Sequence, residues 1–474
     1  MKGELPTTIV IVGASGDLTR KKLIPALFSL YCNNLLPQEF TVVGFARSKK
    51  SDDEFRKDIS ENLTSRYEPE PDVCDIRIGG FLKRAHYFSG QYGDPDAFNR
   101  LAEKFPGIRK DNENLLVYLA IPPSVFSATL DSLGSSEVAA EKSEGWSRVV
   151  VEKPFGRDSK SSRELTEHLS AVFDEERTYR IDHYLGKEVI QNLLILRFAN
   201  LIFEPIWNSN YIDKVTITFS EDIGVEGRAG YFDHFGIIRD VLQNHLLQML
   251  ALTAMEPPNT LDAYEISQEK SKVLRAIEPL EMSDVVTGQY EGYLDDEEVP
   301  DDSNTETYAR ATLRIRNGRW SGVPFELVAG KALSSRKTEI EISFRYLPYS
   351  IFRDVGFENN TLRIRVQPNE SIELLVNNKR PGLMLNISQV SLNMLYHREF
   401  SEQLPEAYER LILDVLRGDR ALFIQDEELV AAWSIVTPLL EKLDAGELKP
   451  LPYSKGSDGP SPGDEERFRG MQHA

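Results

Sequence analysis

The stretch Thr8-Ile-Val-Ile-Val-Gly-Ala-Ser-Gly-Asp-Leu18 decides the fold of this chain. Its first five residues are all β-branched and end at a glycine, a pattern typical of a buried parallel strand. Apolar residues at helical spacing then predict a helix from about Thr19 to Asn33. Because strand, glycine turn and helix follow one another directly, we expect the first βα unit of a parallel sheet.

The same alternation continues over the first third of the chain. Further strand-like stretches are Phe40 to Phe45, Asn114 to Ala120 and Trp146 to Glu152, with helical patterns between them. Alternating strands and helices favour a doubly wound parallel sheet. We therefore expect an α/β, Rossmann-type coenzyme domain over residues 1–178.

The pattern changes beyond Thr178. Long helical segments are predicted over Gly186 to Leu201 and Phe235 to Met255. Strand-like stretches follow, at Tyr308 to Arg316, Phe325 to Ala329, Thr338 to Phe344, Thr361 to Gln367 and Ser371 to Val376. They favour a larger α+β domain with a mainly antiparallel sheet over residues 179–451. Residues 452–474 are rich in Gly, Pro, Ser and charge, which predicts a partly flexible tail of loop.

Composition limits the class of protein. The 474 residues are 41% hydrophobic and 27% charged, which is typical of a soluble globular chain and excludes a disordered one. A net charge of −20 argues against a nucleic-acid or anionic-membrane binder. The sequence has no run of about 18 apolar residues, so no membrane span is predicted. The first strand begins by residue 8, so we expect no signal or transit peptide. Two cysteines, Cys32 and Cys74, exclude a disulfide framework or a cysteine-based metal site, so a cytoplasmic location is expected.

The glycine turn is the first candidate binding site. It consists of Gly13, Ala14, Ser15, Gly16, Asp17 and Leu18, in a G-x-x-G pattern between strand and helix. Glycines let the backbone approach a pyrophosphate closely, and the helix N-terminus attracts its charge. Because the full G-x-G-x-x-G pattern is missing, a turn that merely needs two glycines is the alternative.

The end of the second predicted strand bears on coenzyme choice. An acidic residue there favours NAD, whereas an arginine accommodates a 2′-phosphate. The chain has Arg47, Lys49 and Lys50 at this place and no acidic residue before Asp52. These basic residues favour NADP, and a solvated basic loop is the alternative for the two lysines.

Two histidines of the second half are candidate functional residues. In the segment RIDHYLGKE, His183 and Lys187 are four residues apart and would share one face of a helix, which suits a phosphate dianion. A charged surface helix with ordinary salt bridges is the alternative. His245 lies among apolar residues of the second long helix, where a core histidine is the alternative. A carboxylate partner such as Asp182 would make it a general base.

Longer blocks of sequence carry more information than these single residues. They are GASGDL, FARS, VVVEKPFGRD, RIDHYLGKE, LRFANLIFEPIWN, EGRAGYFDHFGIIRDVLQNHLLQ, WSGVPFELVAGKAL, IRVQPNE and EAYERLILD. In this order, from the first strand to about Tyr453, they resemble the glucose-6-phosphate dehydrogenase family. The resemblance covers essentially the whole chain.

The resemblance implies a fold, a reaction and an assembly. A Rossmann-type domain would be followed by a β+α domain whose large sheet carries dimerisation, in a homodimer or homotetramer. The reaction would be oxidation of D-glucose 6-phosphate at C1 to 6-phospho-D-glucono-1,5-lactone, with NADP⁺ as the hydride acceptor. This is the first step of the oxidative pentose phosphate pathway in carbohydrate metabolism. We expect no metal ion, nucleic acid or membrane as a partner.

The resemblance also implies roles for residues of the matching blocks. His245 would take the proton of the C1 hydroxyl, and Asp182 would orient this histidine. The substrate-binding residues would be Lys153, His183, Tyr184, Lys187, Glu221, Asp240, Lys331, Arg336 and Gln367. The coenzyme-binding residues would be Gly13, Ala14, Ser15, Gly16, Asp17, Leu18, Arg47, Tyr118 and Lys153. A cis peptide is expected at Lys153–Pro154.

Eukaryotic members of the family can carry a second, structural NADP near the dimer-side sheet. Of the basic residues that would hold it, the chain has Lys337, Arg365, Lys379 and Arg380. Other positions where those members carry arginine are Val328, Glu341 and Asp458, and the two carboxylates would repel a phosphate. We therefore expect this second site to be weak or absent.

Two other functions fit the same fold. One is a non-catalytic NADP-binding sensor or scaffold, which should have lost Asp182 or His245, although both are present. The other is a dehydrogenase of another hexose phosphate or of free glucose, for which His183 and Lys187 would be surplus if the sugar carried no phosphate.

Overall fold

The computed structural model describes residues 5–63, 71–110, 112–140, 142–347, 349–352, 355–400, 404–461 and 463, with 71–75 as backbone. Within these residues the strands form two sheets, a parallel one in the first part of the chain and a larger mixed one in the second. No described helix is long and apolar enough to cross a membrane.

The first sheet has six described strands in the order β3-β2-β1-β4-β5-β6, and every neighbouring pair is parallel. The strands are β1 (Thr7–Val12), β2 (Phe40–Ala46), β3 (Ala85–Ser89), β4 (Asn114–Leu119), β5 (Ser147–Glu152) and β6 (Thr178–Ile181). All residues of β1 and β4 are buried, as expected for strands covered by helices on both faces. This strand order is that of a Rossmann-type domain, so the predicted doubly wound sheet is confirmed.

Helices cover both faces of this sheet. They are α1 (Ile24–Cys32), α2 (Asp52–Ser60), α3 (Pro71–Leu82), α4 (Pro95–Lys104), α5 (Phe126–Gly134) and α6 (Ser159–Ser170). The helix predicted from Thr19 begins as a π-helical segment, Thr19–Leu23, and continues as α1. Pro25 lies at the start of α1 and has no N–H to donate, which accounts for a change of hydrogen-bond pattern here.

The helices of the second half lie around the larger sheet and on the first domain. They are α7 (Glu188–Phe198), α8 (Ala229–Asp233), α9 (Leu247–Ala254), α10 (Ala263–Arg275), α11 (Tyr396–Glu399), α12 (Ala407–Arg417) and α13 (Asp426–Asp444). A nine-residue π-helix, Ile238–Leu246, leads directly into α9. Although α12 comes late in the chain, Leu411 and Val415 on it share a buried cluster with Leu27 of α1.

The larger sheet has the order β14-β13-β12-β11-β7-β10-β9-β8-β15 among the described strands. The strands are β7 (Ile212–Ser220), β8 (Val285–Tyr290), β9 (Tyr308–Arg314), β10 (Pro324–Gly330), β11 (Lys337–Phe344), β12 (Thr361–Gln367), β13 (Ser371–Lys379), β14 (Ile387–Leu395) and β15 (Leu451–Tyr453). Only the pairs β7–β10 and β8–β15 are parallel in this part of the structure. A mainly antiparallel sheet, as predicted, is confirmed.

The structure differs from the sequence-based expectation in strands that were not predicted, among them β7, and in the start of the C-terminal tail. The central strand β7 was not predicted, although polar and apolar residues alternate over IDKVTITFS as in a half-buried strand. The predicted C-terminal tail begins with strand β15 instead of loop. Tyr453 on that strand is buried, and its hydroxyl donates to the carbonyl of Lys331 at 2.7 Å, which fixes the segment to the sheet.

Candidate active site

The candidate site lies where the carboxyl ends of strands from the two sheets meet. Predicted catalytic and substrate-binding residues follow or end these strands: Lys153 after β5, Asp182 after β6, Glu221 after β7, Lys331 after β10 and Gln367 at the end of β12. Neighbouring parallel strands place their carboxyl ends side by side. The pair β7–β10 therefore brings Glu221 to Lys331, and Lys331 Nζ lies 2.5 Å from Glu221 Oε2.

A buried histidine–carboxylate pair forms the centre of the site. Nδ1 of His245 lies 2.6 Å from Oδ1 of Asp182, and the two side chains are 2% and 1% exposed. The same Oδ1 accepts the backbone N–H of Tyr184 at 2.9 Å. An ionised carboxylate can only accept, so Nδ1 carries the proton, and Nε2 is left with a lone pair. Nε2 has no hydrogen-bond partner among the described residues.

The two pKa values favour this arrangement. Burial would raise the pKa of Asp182, but the charge and hydrogen bond of His245 lower it to about 2. Burial also lowers the pKa of His245, although Asp182 opposes the shift. At neutral pH the carboxylate is therefore ionised and the imidazole neutral, which is the state of a general base ready to accept a proton.

The π-helix that carries His245 also presents Asp240 to the site. Lys153 Nζ donates to the backbone carbonyl of Asp240 at 2.8 Å and to its Oδ1 at 3.1 Å. Asn244 Nδ2 donates to the same carbonyl at 3.0 Å, and Asn244 Oδ1 accepts the backbone N–H of His245 at 2.6 Å. Lys153 precedes the cis peptide Lys153–Pro154, which confirms that prediction. Asn244 is a site residue that the sequence analysis missed.

The predicted phosphate-binding residues lie together, but not on a helix. Residues 183–186 form a turn after β6, and Lys187 is the residue before α7, so the expectation that His183 and Lys187 share a helical face was wrong. The turn is fixed by the bond from the Tyr184 N–H to Asp182. Lys187 Nζ lies 5.3 Å from the centre of the Tyr184 ring, and the rings of His183 and His245 are 4.9 Å apart.

Burial lowers the pKa values of the two basic side chains at this turn, His183 and Lys187. Burial lowers the pKa of His183 well below its usual range, and the charge of His245 adds to this effect. His183 is therefore a neutral hydrogen-bonding group at neutral pH, whereas the sequence analysis expected a cation. Burial also lowers the pKa of Lys187, against the opposing effect of Glu370 and Glu406. An anion bound here would favour the protonated forms of both side chains.

The remaining predicted substrate residues surround Tyr184. Gln367 Nε2 donates to the Tyr184 hydroxyl at 2.9 Å. Burial raises the pKa of Tyr184, Glu221 and Asp182 add to this, and the charge of Arg336 opposes it, so Arg336 faces the same region. The Arg336 side chain itself is exposed, just before β11.

The glycine turn on the coenzyme side has the geometry of a close backbone approach. Gly13 has φ +99°, and a Cβ on it would lie 2.0 Å from the carbonyl oxygen of Ala120. Ser15, Gly16 and Asp17 are exposed at the carboxyl end of β1, and Leu18 packs partly buried behind them. Asp17 is bound by Lys21 at 2.8 Å and by Arg20, and these cations lower its pKa.

Arg47 follows β2 and is exposed, with its guanidinium 5.4 Å from the centre of the Tyr92 ring. Of the two lysines after it, Lys49 is exposed and Lys50 is paired with Asp58. Lys50 is therefore held by a carboxylate of α2, which differs from the solvated loop given as the alternative.

Tyr118, a predicted coenzyme-binding residue, is buried near the end of β4. It is 2% exposed, and its hydroxyl donates to Oε1 of Glu152 at 2.6 Å. Burial raises the pKa of Glu152, while Tyr118 and Tyr408 oppose the shift. Tyr408 of α12 also stacks on His183, with ring centres 6.2 Å apart. The sequence analysis missed Glu152 and Tyr408, although both occur in the quoted blocks VVVEKPFGRD and EAYERLILD.

Asp182, His183 and His245 are also the described set whose donor atoms lie close enough for a metal ion, within 4.8 Å of one another. The short bond between His245 and Asp182 uses two of these donor atoms. We therefore interpret the cluster as a proton-transfer site.

Comparisons with known proteins agree over the full length. The family model described as glucose-6-phosphate dehydrogenase, NAD binding domain, matches residues 10–192, and the C-terminal domain model of the same family matches residues 194–469. A chloroplast glucose-6-phosphate 1-dehydrogenase of Nicotiana tabacum is 48% identical over 479 residues, 97% of this chain and 79% of the relative. A cytoplasmic one of Arabidopsis thaliana is 46% identical, over 97% and 90%. A solved glucose-6-phosphate dehydrogenase in complex with glucose 6-phosphate has a TM-score of 0.90 at 40% identity, over 100% and 99%.

Proposed function

Because the chain belongs to the glucose-6-phosphate dehydrogenase family, we propose that the site built around His245 and Asp182 carries out that reaction. The enzyme oxidises D-glucose 6-phosphate at C1 to the 6-phosphogluconolactone. The observation that carries the assignment of the base is the 2.6 Å contact between His245 Nδ1 and Asp182 Oδ1.

His245 accepts the proton of the C1 hydroxyl at Nε2. Removal of this proton raises the electron density on the oxygen and makes loss of the C1 hydride easier. As Nε2 gains its proton, the ring becomes cationic, and the ionised Asp182 beside Nδ1 stabilises that charge. Because the pair is buried, the interaction between these charges is stronger than it would be in water.

The phosphate of the substrate binds at the turn before α7. Lys187 supplies a cation, and His183 and Tyr184 supply hydrogen-bonding groups around it. Arg336 adds positive charge from the start of β11. Sugar hydroxyls bind the polar groups Glu221, Asp240 and Lys331, with Gln367 beside Tyr184 and Lys153 between sugar and coenzyme.

The coenzyme is NADP, which accepts hydride at its nicotinamide when bound. The turn at Gly13 fits a dinucleotide, because it leaves Ser15, Gly16 and Asp17 exposed at the N-terminus of the following helix, where backbone N–H groups attract a phosphate. Arg47 lies after β2, where a 2′-phosphate would need a cation and where an acidic residue would favour NAD. Tyr118 supports the coenzyme side of the site through its hydrogen bond to Glu152.

Absorbance of the reduced nicotinamide, recorded with glucose 6-phosphate and either NADP⁺ or NAD⁺, tests the proposal. We expect rapid reduction of NADP⁺ by the wild type, and a loss of about 10²–10⁴-fold in kcat for His245→Asn. His168→Asn is the matched control, because His168 pairs with Asp131 at 3.5 Å on the surface. Full activity of His245→Asn would refute the assignment of the base. A folded wild type that binds NADP but reduces none would favour the sensor.

We propose that the second, structural NADP site does not operate in this chain. Lys337 Nζ lies 3.0 Å from Glu339 Oε1, and Arg365 Nε lies 3.6 Å from Glu339 Oε2, so both cations lie beside a carboxylate that partly offsets their charge. Glu341 is paired with Arg363 at 2.9 Å. The melting temperature of an Arg47→Ala, Lys153→Ala variant should therefore not rise with NADP, and a rise would refute this proposal.

The enzyme assembles through the larger sheet into a homodimer or homotetramer. Support comes from β14 at the sheet's edge, where Leu392 is 59% exposed, and from the preceding segment, where Leu383 and Met384 are exposed. Exposed apolar residues of this size mark an interaction surface. Light scattering should give a multiple of the 53.8 kDa chain, and Leu392→Lys should lower it.

A cytoplasmic location stays a prediction. It is supported by the low cysteine content, whereas cytoplasmic and chloroplast relatives match at similar identity. Cell fractionation tests it.

A further inference from the structure

Residues 303–306, just before β9, form hydrogen bonds with residues that precede and begin the π-helix. The Ser303 hydroxyl donates to Oδ1 of Asp233 at 2.5 Å. The Thr305 hydroxyl donates to the backbone carbonyl of Asp233 at 2.7 Å. Further along both segments, the N–H of Ile237, the residue before the π-helix, donates to the carbonyl of Glu306 at 2.9 Å. The side chain of Glu306 adds a contact of its own, because its Oε1 accepts the Ile238 N–H at 3.1 Å.

Glu306 is buried beneath this entrance. It is 5% exposed, and its carboxylate lies against Gly236, where a Cβ would come within 2.3 Å of Oε1. Gly236 has φ +69°, a conformation that glycine adopts without strain. Ile238 is the first residue of the π-helix, so its N–H has no partner within the helix and would otherwise be left unsatisfied.

The same segment also touches the other wall of the site. The Lys331 N–H donates to the carbonyl of Thr307 at 3.0 Å, next to Glu306 in sequence. Lys331 binds Glu221, whereas the π-helix carries Asp240 and His245. Residues 306 and 307 therefore contact both sides of the proposed sugar site, the side with Glu221 and Lys331 and the side with Asp240 and His245.

We propose that Glu306 is a positioning residue for the reaction. By accepting the Ile238 N–H it holds the N-terminus of the π-helix in place, and this sets the distance of Asp240 and His245 from Lys331. This inference rests on the proposed function of His245. Glu306 does not touch the proposed substrate residues itself, and it acts through the backbone of the π-helix.

Charged groups face Glu306 from each element packed against it. They are Arg239 on the π-helix, Asp444 at the end of α13, Asp233 at the end of α8, and Tyr293, while His234 and Arg157 share a cavity of about 260 Å³ with it. Arg239 is paired with Asp444 at 2.6 Å. Burial raises the pKa of Glu306 to about 7, against the backbone donors and Arg239, which lower it. The strength of its bond to Ile238 therefore changes around neutral pH, since an ionised acceptor binds an N–H more strongly.

Glu306→Gln and Glu306→Ala test the inference on the full-length enzyme. Glutamine keeps an acceptor for Ile238 but cannot ionise, so kcat should stay within about threefold while the step near pH 7 in its pH profile disappears. Alanine removes the acceptor, and kcat should fall about tenfold with little change in the KM for glucose 6-phosphate, because the base is misplaced and the phosphate site is not. Glu298→Gln is the matched control, since Glu298 accepts the Gly230 N–H at 3.2 Å, in the first turn of α8 and outside the π-helix.

The outcomes separate this inference from the proposed function. Loss of activity in His245→Asn tests the base and does not depend on Glu306. Unchanged kcat in Glu306→Ala, or a pH step that persists in Glu306→Gln and disappears in His234→Gln, would overturn the inference while leaving the base assigned. Should Glu306→Ala fail to fold, the pH profile of Glu306→Gln decides alone.

Discussion

Replacing Asp182 with asparagine removes one charge from the buried pair with His245 and leaves the size of the side chain unchanged. The pKa of Asp182 is lowered from 3.8 to about 2, chiefly by His245 against the effect of burial. At about 1.36 kcal/mol per pKa unit, the interactions that stabilise the carboxylate amount to about 2 kcal/mol. Loss of this stabilisation from the protonated imidazole would slow the reaction roughly 30-fold.

The tautomer of His245 makes the expected effect larger. An asparagine amide can donate to Nδ1, which then carries no proton, and the ring proton moves to Nε2. Nε2 is the atom that must accept the proton of the C1 hydroxyl, so this tautomer cannot act as the base. We therefore expect kcat of Asp182→Asn to fall by about 10²–10⁴-fold in total.

Initial rates of NADP⁺ reduction at varied glucose 6-phosphate concentrations measure both kcat and KM. The KM should change less than about threefold, because Asp182 lies behind His245 and lowers the barrier of the chemical step. Asp414→Asn is the matched control, since Asp414 is an equally buried carboxylate on α12 that binds Arg410 at 2.8 Å. Retention of kcat within threefold in a folded Asp182→Asn would refute the role of the carboxylate.

Three further predictions concern the coenzyme, the phosphate and a buried acid. Arg47→Ala should raise the KM for NADP⁺ about 10- to 100-fold and that for NAD⁺ less than about threefold, because only NADP has a 2′-phosphate; equal effects on both would contradict this. Lys187→Gln should raise the KM for glucose 6-phosphate about 10- to 100-fold, with the surface variant Lys214→Gln unaffected, and an unchanged KM would remove Lys187 from the phosphate site. Relative to the wild type, Glu306→Gln should gain stability as the pH rises from about 4.5 to about 7, by up to about 3 kcal/mol, and no further above that, because the pKa of Glu306 is about 7 in the folded state and 4.5 in the unfolded chain. Urea unfolding at pH 5 and pH 9 measures this, and an equal difference at both values would refute it.

Local patterns in the sequence predicted the first domain well. The run TIVIV is followed by a glycine with positive φ, and strand and turn lie where the pattern puts them. Such a strand is buried on both faces, so every residue carries the signal. By contrast, β14 was missed although Val390, Leu392 and Met394 alternate with polar residues, because as an edge strand it is exposed or half-buried throughout and carries no continuous apolar run.

Contacts between distant segments were predictable only where chemistry demanded a partner. Asp182 was named as a candidate partner of His245 because a buried histidine needs one, and the two side chains do meet across 63 positions of sequence. No comparable demand pointed to Glu306, whose partners are backbone N–H groups of a helix 68 positions earlier. A backbone donor leaves no trace in the sequence of the residue that provides it, so such contacts need the structure.

The π-helix explains why one segment can supply two groups to the site. In an α-helix, Asp240 and His245 would lie about 140° apart around the axis, because each residue turns the chain by about 100°. Bonds between residues five apart widen the turn, and residues at that spacing then lie nearly above one another. Asp240 and His245 are five residues apart, and the charge of each affects the pKa of the other, as does the charge of Lys153. The sequence analysis assumed an α-helix, in which His245 lies among apolar residues. The wider turn instead brings His245 to the same side as Asp240, so the catalytic geometry depends on holding this uncommon helix in place at its entrance.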